Sequence, residues 1–312
     1  MRIVFMGSPE VAVPFLTSLA KTEEIVGVIT QKDRPAGRGY KLKPPAVKEA
    51  ALKLGLSVYQ PERIKNNSEF LKIYRDLSAD LAVVIAFGKI LPKEILDTPR
   101  MGSVNIHFSL LPKYRGPAPL QWALINGEEK SGVSIFWMNE QVDAGDIIVQ
   151  SEADLSEDDT YPSALEKLSG IGIDALKKTL ELIKSGSAPR IAQDEKLITV
   201  APLLKKEDGQ IHWEKSASDI HNLVRALVPW PGAYTNKKDS TLIKILETEV
   251  LTEDAGGRTG EIVSVIKNRG FVVKCGKNLL LIKKVQMQAS KAMDSYAFVQ
   301  GRNIEKGDIL GS

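Results

Sequence analysis

Residues 2–20 read RIVFMGSPEVAVPFLTSLA, and this stretch decides the fold. Ile3, Val4, Phe5 and Met6 form an unbroken apolar run, the pattern of a strand buried on both faces. Gly7-Ser8-Pro9 then forces a sharp turn, and Val11, Phe15 and Leu19 recur at the four-residue spacing of a helix packed by one face. A strand-turn-helix unit is therefore predicted.

The same alternation continues outward. A second strand is expected at Ile25–Thr30, then a long polar loop, a helix from about Pro45 to Leu54, and a strand at Leu81–Ala86. Ser103–Ile106 reads as a further buried strand. Val133–Met138 and Ile147–Gln150 read as a hairpin around a turn that holds Asp143, Ala144 and Gly145. Apolar spacing at Leu165, Leu168, Ile171, Leu176, Leu180 and Ile183 predicts a helix over about Pro162–Lys184, stopped by Ser185-Gly186-Ser187. Strands alternating with helices imply an α/β fold, a doubly wound and mostly parallel Rossmann-like sheet whose sites lie beyond the carboxyl ends of its strands. The turn after the first strand lacks the G-x-G-x-x-G spacing of a dinucleotide site, which argues against a nicotinamide enzyme.

Past Pro189 and Pro202 the pattern changes. One helix is expected over Ala217–Leu227, followed by short alternating runs rich in Val, Ile and Thr that suggest a second, smaller OB-like β-barrel domain. The expected division is a catalytic domain over 1–188, a linker over 189–206 and a barrel over 207–312. A chain of 312 residues exceeds the usual size of one core, which agrees with two domains.

An apolar fraction of 43% and a charged fraction of 26% are globular values that exclude a fibrous or extensively disordered chain. The longest apolar run, Leu81–Phe87, is far short of the roughly 20 residues that span a membrane, and no signal-peptide pattern is seen, so a cytoplasmic protein is expected. The lone Cys275 excludes an internal disulfide and reads as a small apolar strand residue; no metal site is expected. Residues 201–312 hold 17 Lys and Arg against 13 Asp and Glu, whereas the first 200 hold 25 against 26. A basic C-terminal half suits nucleic acid, and it equally suits scattered solvated charge.

The chemistry concentrates in NIHFSLLPKYRGPAPLQWALINGE, Asn105–Glu128, directly after a buried strand. Asn105 and His107 are two residues apart, so at strand period they project to one side. An amide and an imidazole that converge on a carbonyl oxygen can stabilise the oxyanion of acyl or formyl transfer. The same pair also fits a role of satisfying strand-end backbone groups. Asp143 can orient an imidazole or accept an amine proton, and it also serves as an ordinary turn former beside glycine.

Asn105-Ile106-His107, Ser109-Leu110-Leu111-Pro112, Tyr114-Arg115-Gly116 and Pro117-Ala118-Pro119 together resemble the signature of the folate-dependent formyltransferases. Gly132-Val133-Ser134 and Val142-Asp143-Ala144-Gly145-Asp146 fall where that family carries its catalytic aspartate, with Ser134 in place of the usual Thr. QKDRPAGRGYKLK, Gln31–Lys43, looks like the loop with which the tRNA-modifying branch enters the acceptor stem of initiator tRNA. Its cations Lys32, Arg34, Arg38, Lys41 and Lys43 oppose only Asp33, and Gly37 and Gly39 permit close approach. A solvated surface loop has the same spacing. Lys206-Glu207-Asp208-Gly209, Ile211 with Trp213, Ile220–Leu227, Pro229–Thr235 and Gly301-Arg302 extend the similarity across nearly the whole chain, with Trp230 expected to pack within a corner. His212 and His221 have no counterpart in that pattern.

The resemblance implies a transferase that uses 10-formyltetrahydrofolate and initiator methionyl-tRNA. Asn105, His107 and Asp143 would be catalytic. The reduced folate would lie along Phe87, Gly88, Lys89, Ile90 and Leu91, Ser109, Leu110, Leu111 and Pro112, and Asn139, Gln141 and Val142. Arg34, Arg38, Lys41 and Lys43 would bind tRNA. A monomer is the family's expectation. A sugar-nucleotide N-formyltransferase shares the signature but not the basic loop, and a non-catalytic RNA-binding barrel leaves the Asn, His and Asp unexplained.

Overall fold

The computed structural model describes residues 1–36, 41–253, 255–301 and 303–311. In chain order its elements begin with β1 (Arg2–Gly7), α1 (Val13–Leu19), β2 (Glu24–Ile29), β3 (Arg34–Ala36), β4 (Lys41–Lys43), α2 (Ala46–Lys53), β5 (Val58–Tyr59) and α3 (Ser68–Asp76). They continue with β6 (Leu81–Ile85), α4 (Lys93–Leu96), β7 (Ser103–His107), α5 (Pro119–Ile125), β8 (Lys130–Trp137), β9 (Ile147–Asp154) and α6 (Tyr161–Lys184). The remainder comprises α7 (Ala217–Leu227), β10 (Ala233–Asn236), β11 (Leu242–Leu251), β12 (Ile262–Ile266), β13 (Gly270–Lys274), β14 (Leu279–Met287), β15 (Met293–Asp294) and α8 (Ser295–Gln300). The chain divides into one compact unit of 1–119, 130–154 and 165–202 and another of 120–129, 155–164 and 203–312.

The first unit is built on a seven-stranded sheet in the order β5-β2-β1-β6-β7-β8-β9. Pairings from β5 to β7 are parallel, and β7–β8 and β8–β9 are antiparallel. Ile3, Val4, Phe5 and Met6 are buried, as expected of a central parallel strand covered on both faces. From β1 the chain order runs outward to β2 on one side and to β6 on the other. The loops after β1 and β6 therefore flank the topological switch point, where open α/β sheets place their ligands.

The expected α/β architecture and nearly all the predicted segments are present, with differences that have physical causes. The polar loop contains a short hairpin, with Arg34 opposite Lys43 and Pro35 opposite Leu42, too brief for a hydrophobic period. Helix α3 is not expected from the sequence pattern, although Asn67 caps it by accepting from the Phe70 amide at 3.0 Å; its buried face is only Phe70 and Tyr74 amid charged residues. Val11 lies in a 3₁₀ turn ahead of α1 rather than within it.

The second unit carries an antiparallel sheet in the order β10-β11-β14-β13-β12, with β15 added to β14. Ile220 and Val224 of α7 join Ile243, Ile245, Phe271, Leu280 and Ile282 in its core. A capping box starts α7: the Ser216 hydroxyl accepts from the Asp219 amide at 3.1 Å while the Asp219 carboxylate accepts from the Ser216 amide. Cys275 is buried, and burial pushes its thiol up to about 12. Trp230, expected to pack, is 53% exposed, in a corner whose Val228–Pro229 and Trp230–Pro231 bonds are both cis. Among the described residues no helix is long and apolar enough to cross a membrane.

One core contact bears directly on the end of β7. Phe15 of α1 meets Phe108, the residue after His107, edge to face, with ring centroids 6.2 Å apart at 82°. Phe15→Ala should cost about 3–5 kcal/mol of unfolding free energy. Denaturant unfolding checks this, and an effect below about 1 kcal/mol would mean the core closes over the gap.

Candidate active site

Strand register carries His107 to the carboxyl end of β7, paired with Ser134 of β8, with Asn105 paired to Phe136 one pleat back. His107 is buried and Asn105 half-buried. Among the described residues the Asn105 side-chain amide has no hydrogen-bond partner, so its donors are unspent. The imidazole is held by a group that sequence patterns do not show: the carbonyl of Tyr114 lies 2.9 Å from Nε2. A carbonyl only accepts, which places a proton on Nε2 and leaves Nδ1 to exchange protons. Nδ1 faces Oδ2 of Asp143 at 3.6 Å, an electrostatic contact too long for a hydrogen bond.

Asp143 is fixed by other means. Its Oδ2 accepts from the Gly116 amide at 2.8 Å, and its backbone carbonyl accepts from the side-chain amide of Gln193 at 2.9 Å. Tyr114 and Asp143 both have left-handed backbones, with φ of 61° and 51°, conformations that cost a non-glycine residue about 1–3 kcal/mol. Glycines stand beside both. A Cβ on Gly116 would lie 2.4 Å from the Ala201 carbonyl, and one on Gly145 would lie 1.6 Å from that of Trp137. These turns exist because glycine lets two backbones touch.

The loop after β7 is pinned through Ser134. Its hydroxyl donates to the Ser109 carbonyl at 2.6 Å and accepts from the Leu111 amide at 3.0 Å and from Gln150 at 2.9 Å. This hydroxyl sets the Ser109–Pro112 turn, whose Leu111–Pro112 bond is cis.

The residues expected along a folate slot are placed as follows. Phe87 and Leu91 are buried in a cluster that Met138 also packs against, which brings residue 138 to the core below the loop after β6. Ser109 and Leu111 are buried, Ser109 donating to the Lys113 carbonyl at 2.7 Å, while Leu110 and Pro112 are half-buried. Gly88, Ile90, Asn139, Gln141 and Val142 are exposed, Ile90 and Val142 being large apolar side chains left in solvent. Lys89 donates to the carbonyls of Pro61 and Glu62; burial, then the neighbouring charges of Arg34 and Lys32, hold its ammonium below the usual lysine range.

Arg34 and Lys43 lie exposed and opposite one another in the β3–β4 hairpin. Lys41 is placed by its backbone alone, and Gly37, Arg38, Gly39 and Arg302 lie outside the described residues. Asp33 is bonded by two residues outside the loop. Lys48 donates to both of its oxygens at 2.9 and 2.8 Å and Gln60 to one at 2.8 Å, and first the Gln60 bond, then Lys48, holds its carboxyl below the usual range. His212 is exposed, and His221 is tied to Thr248 at 2.9 Å, both outside this site. Among the described residues no group of three or more His, Cys, Asp or Glu could hold a metal.

An imidazole and a carboxylate that approach one another at the end of a strand beside a switch point, with an amide two residues back on that strand, suit acyl-type transfer. Family models agree: formyl transferase matches residues 1–180, and formyl transferase, C-terminal domain, matches residues 203–303. The chain belongs to the formyl transferase family. It is 45% identical over 312 residues to the methionyl-tRNA formyltransferase of Clostridioides difficile strain 630, covering 100% of both chains. It is 48% identical over 312 residues to that of Moorella thermoacetica, covering 100% of this chain and 99% of the relative. Among solved structures, the sugar 3N-formyl transferase WlaRD, crystallised in the presence of dTDP and 5-N-formyl-THF, superposes with a TM-score of 0.68 at 19% identity, over 93% of this chain and 99% of that one. At that identity the likeness shows a shared fold.

Ser134→Ala orphans the buried Leu111 amide and should lower unfolding free energy by about 1–3 kcal/mol. Urea unfolding measures it, and a change within error would show that the turn re-pairs without the hydroxyl.

Proposed function

We infer that the chain transfers the formyl group of 10-formyltetrahydrofolate to the α-amino group of methionine on initiator methionyl-tRNA, the product with which translation starts. The carrying observation is the 3.6 Å approach of Asp143 to the unengaged nitrogen of His107, with the unspent Asn105 amide two residues back on the same strand. The full-length relatives named for that activity support the acceptor. In this reading residues 1–188 perform the transfer, residues 207–312 form an OB-like barrel turned to tRNA, and residues 189–206 join them. The chain works as a cytoplasmic monomer.

The folate would lie at the switch point, between the loop after β6 and the Asn139–Asp143 turn. Buried Phe87 and Leu91 form its floor, and the exposed apolar Ile90 and Val142 suit the face of a fused heterocycle. The methionine amine attacks the formyl carbon, a C–N bond forms, and charge collects on the formyl oxygen. Asn105 offers a donor to that oxygen from the start, and His107 offers one through Nδ1 once that nitrogen carries a proton. The ammonium proton leaves toward Nδ1 of His107, with Asp143 stabilising the transient positive charge. The same proton then reaches the folate nitrogen as its bond to the formyl carbon breaks. An α-amine of reference pKa about 7.7–8.0 needs no strong base.

Incubation with 10-formyltetrahydrofolate and either charged initiator tRNA, elongator methionyl-tRNA or an amino-sugar nucleotide tests the acceptor. Product on initiator tRNA is expected, and product on the sugar nucleotide alone would identify the rival activity. Asn105→Ala and His107→Ala should each lower turnover about 100-fold or more, the scale of one lost oxyanion donor; wild-type turnover in either contradicts its role. Arg34→Ala and Lys43→Ala should each raise KM for tRNA while leaving KM for folate unchanged. Each should also flatten the log–log salt dependence of tRNA binding by about one for every phosphate that is no longer neutralised. An unaltered salt slope removes the hairpin from the interface.

A further inference from the structure

The segment Pro189–Pro202 connects in sequence but is stitched along the first unit. Ile191 exchanges two backbone hydrogen bonds with Ile147 at 2.8 and 3.1 Å, and Thr199–Ala201 bonds the Arg115 backbone on both sides, at 2.9 and 2.7 Å. Between these ends, one side chain spans the site's two strained turns. The Gln193 amide nitrogen donates to the carbonyls of Asp143 and Gly145 at 2.9 and 2.8 Å, while its oxygen accepts from Nε and a terminal nitrogen of Arg115 at 3.0 and 2.8 Å. All four of its hydrogen bonds run between the turn that carries Asp143 and the loop whose Tyr114 carbonyl holds His107. Six residues on, the Thr199 hydroxyl accepts from the Tyr114 amide at 2.8 Å.

Left-handed backbone at two non-glycine residues persists only where the surroundings over-determine it. We propose that Gln193 and Thr199 are positioning residues for formyl transfer: the strap clamps the Asp143 and Tyr114 turns and so aims both nitrogens of His107. Neither side chain touches the reacting atoms. Gln193 sets the carboxylate that faces Nδ1, and Thr199 sets the carbonyl that fixes Nε2. The assignment rests on the catalytic reading of Asn105, His107 and Asp143 given above.

Two near-isosteric variants test the two arms. Gln193→Glu keeps the acceptor for Arg115 but cannot donate to the carbonyls at 143 and 145, and Thr199→Val keeps the shape but not the acceptor. Each should lower kcat about 10- to 100-fold, the scale of a misplacement near 1 Å, with KM for folate and for tRNA within twofold of wild type. The chain has three histidines, so ¹⁵N spectra of histidine-labelled full-length protein resolve the aim directly. Gln193→Glu should move the Nδ1 resonance of His107 and Thr199→Val its Nε2 resonance, with His212 and His221 unmoved. Wild-type kcat together with wild-type His107 resonances in both variants overturns the proposal. So does collapse of all three histidine signals in both, which would make the strap a folding element only. A wild-type protein that forms no formylated tRNA sinks the functional reading instead, and the nitrogen spectra still decide the strap.

Discussion

The His107 imidazole has one nitrogen anchored and the other left beside a charge, and the local structure follows from meeting that condition. The anchor is a backbone carbonyl, that of Tyr114, and the charge is the Asp143 carboxylate. Bringing a carbonyl and a carboxylate to opposite edges of one ring demands two tight turns, and both adopt left-handed backbone at residues with side chains. The glycines next in line, Gly116 and Gly145, are then obligatory, because each lies against a carbonyl that a Cβ would strike.

The sheet supplies the rigid part of this arrangement. Asn105 and His107 stand on a strand flanked by β6 and β8, with Phe108 packed against Phe15 below. Two elements within one side chain's reach, β8 and the turn after β7, are locked by the Ser134 hydroxyl with three hydrogen bonds at full burial. A hydroxyl suits that position because it both donates and accepts, satisfying a carbonyl and an amide that would otherwise be buried unpaired.

Much of this was legible in the residues. Unbroken apolar runs mark β1 and β6, α7 spans the Ala217–Leu227 expected of it, and alternation at period two places Asn105 and His107 on one face. What escapes has common causes. The Tyr114 carbonyl acts through backbone, which no residue type announces, and Gln193 acts across about 50 residues of intervening chain on carbonyls that carry no sequence mark. Helix α3 hides its two-residue apolar face among charges, and β3–β4 is too short to have a period. Trp230 misleads in the opposite direction: aromatic residues between prolines suggest packing, yet the corner turns this one outward.

The basic loop shows how charge accounting changes once structure is known. By sequence, Asp33 offsets part of the positive charge of residues 32–43. In the folded chain its carboxylate is committed at the loop's root to Lys48 and Gln60, both outside the loop. Lys32 finds an exposed partner in Glu62 at 3.3 Å, where solvent screens most of the attraction. Arg34 and Lys43 stand side by side across the hairpin with their charge directed to solvent, an arrangement that repels itself unless a polyanion lies against it. The root is joined to the switch point as well, since the Gln31 side chain donates to the Phe87 carbonyl at 2.7 Å. A nucleic acid drawn to the hairpin would therefore arrive on a loop already fastened to the segment after β6, at the switch point, rather than on a flexible tether.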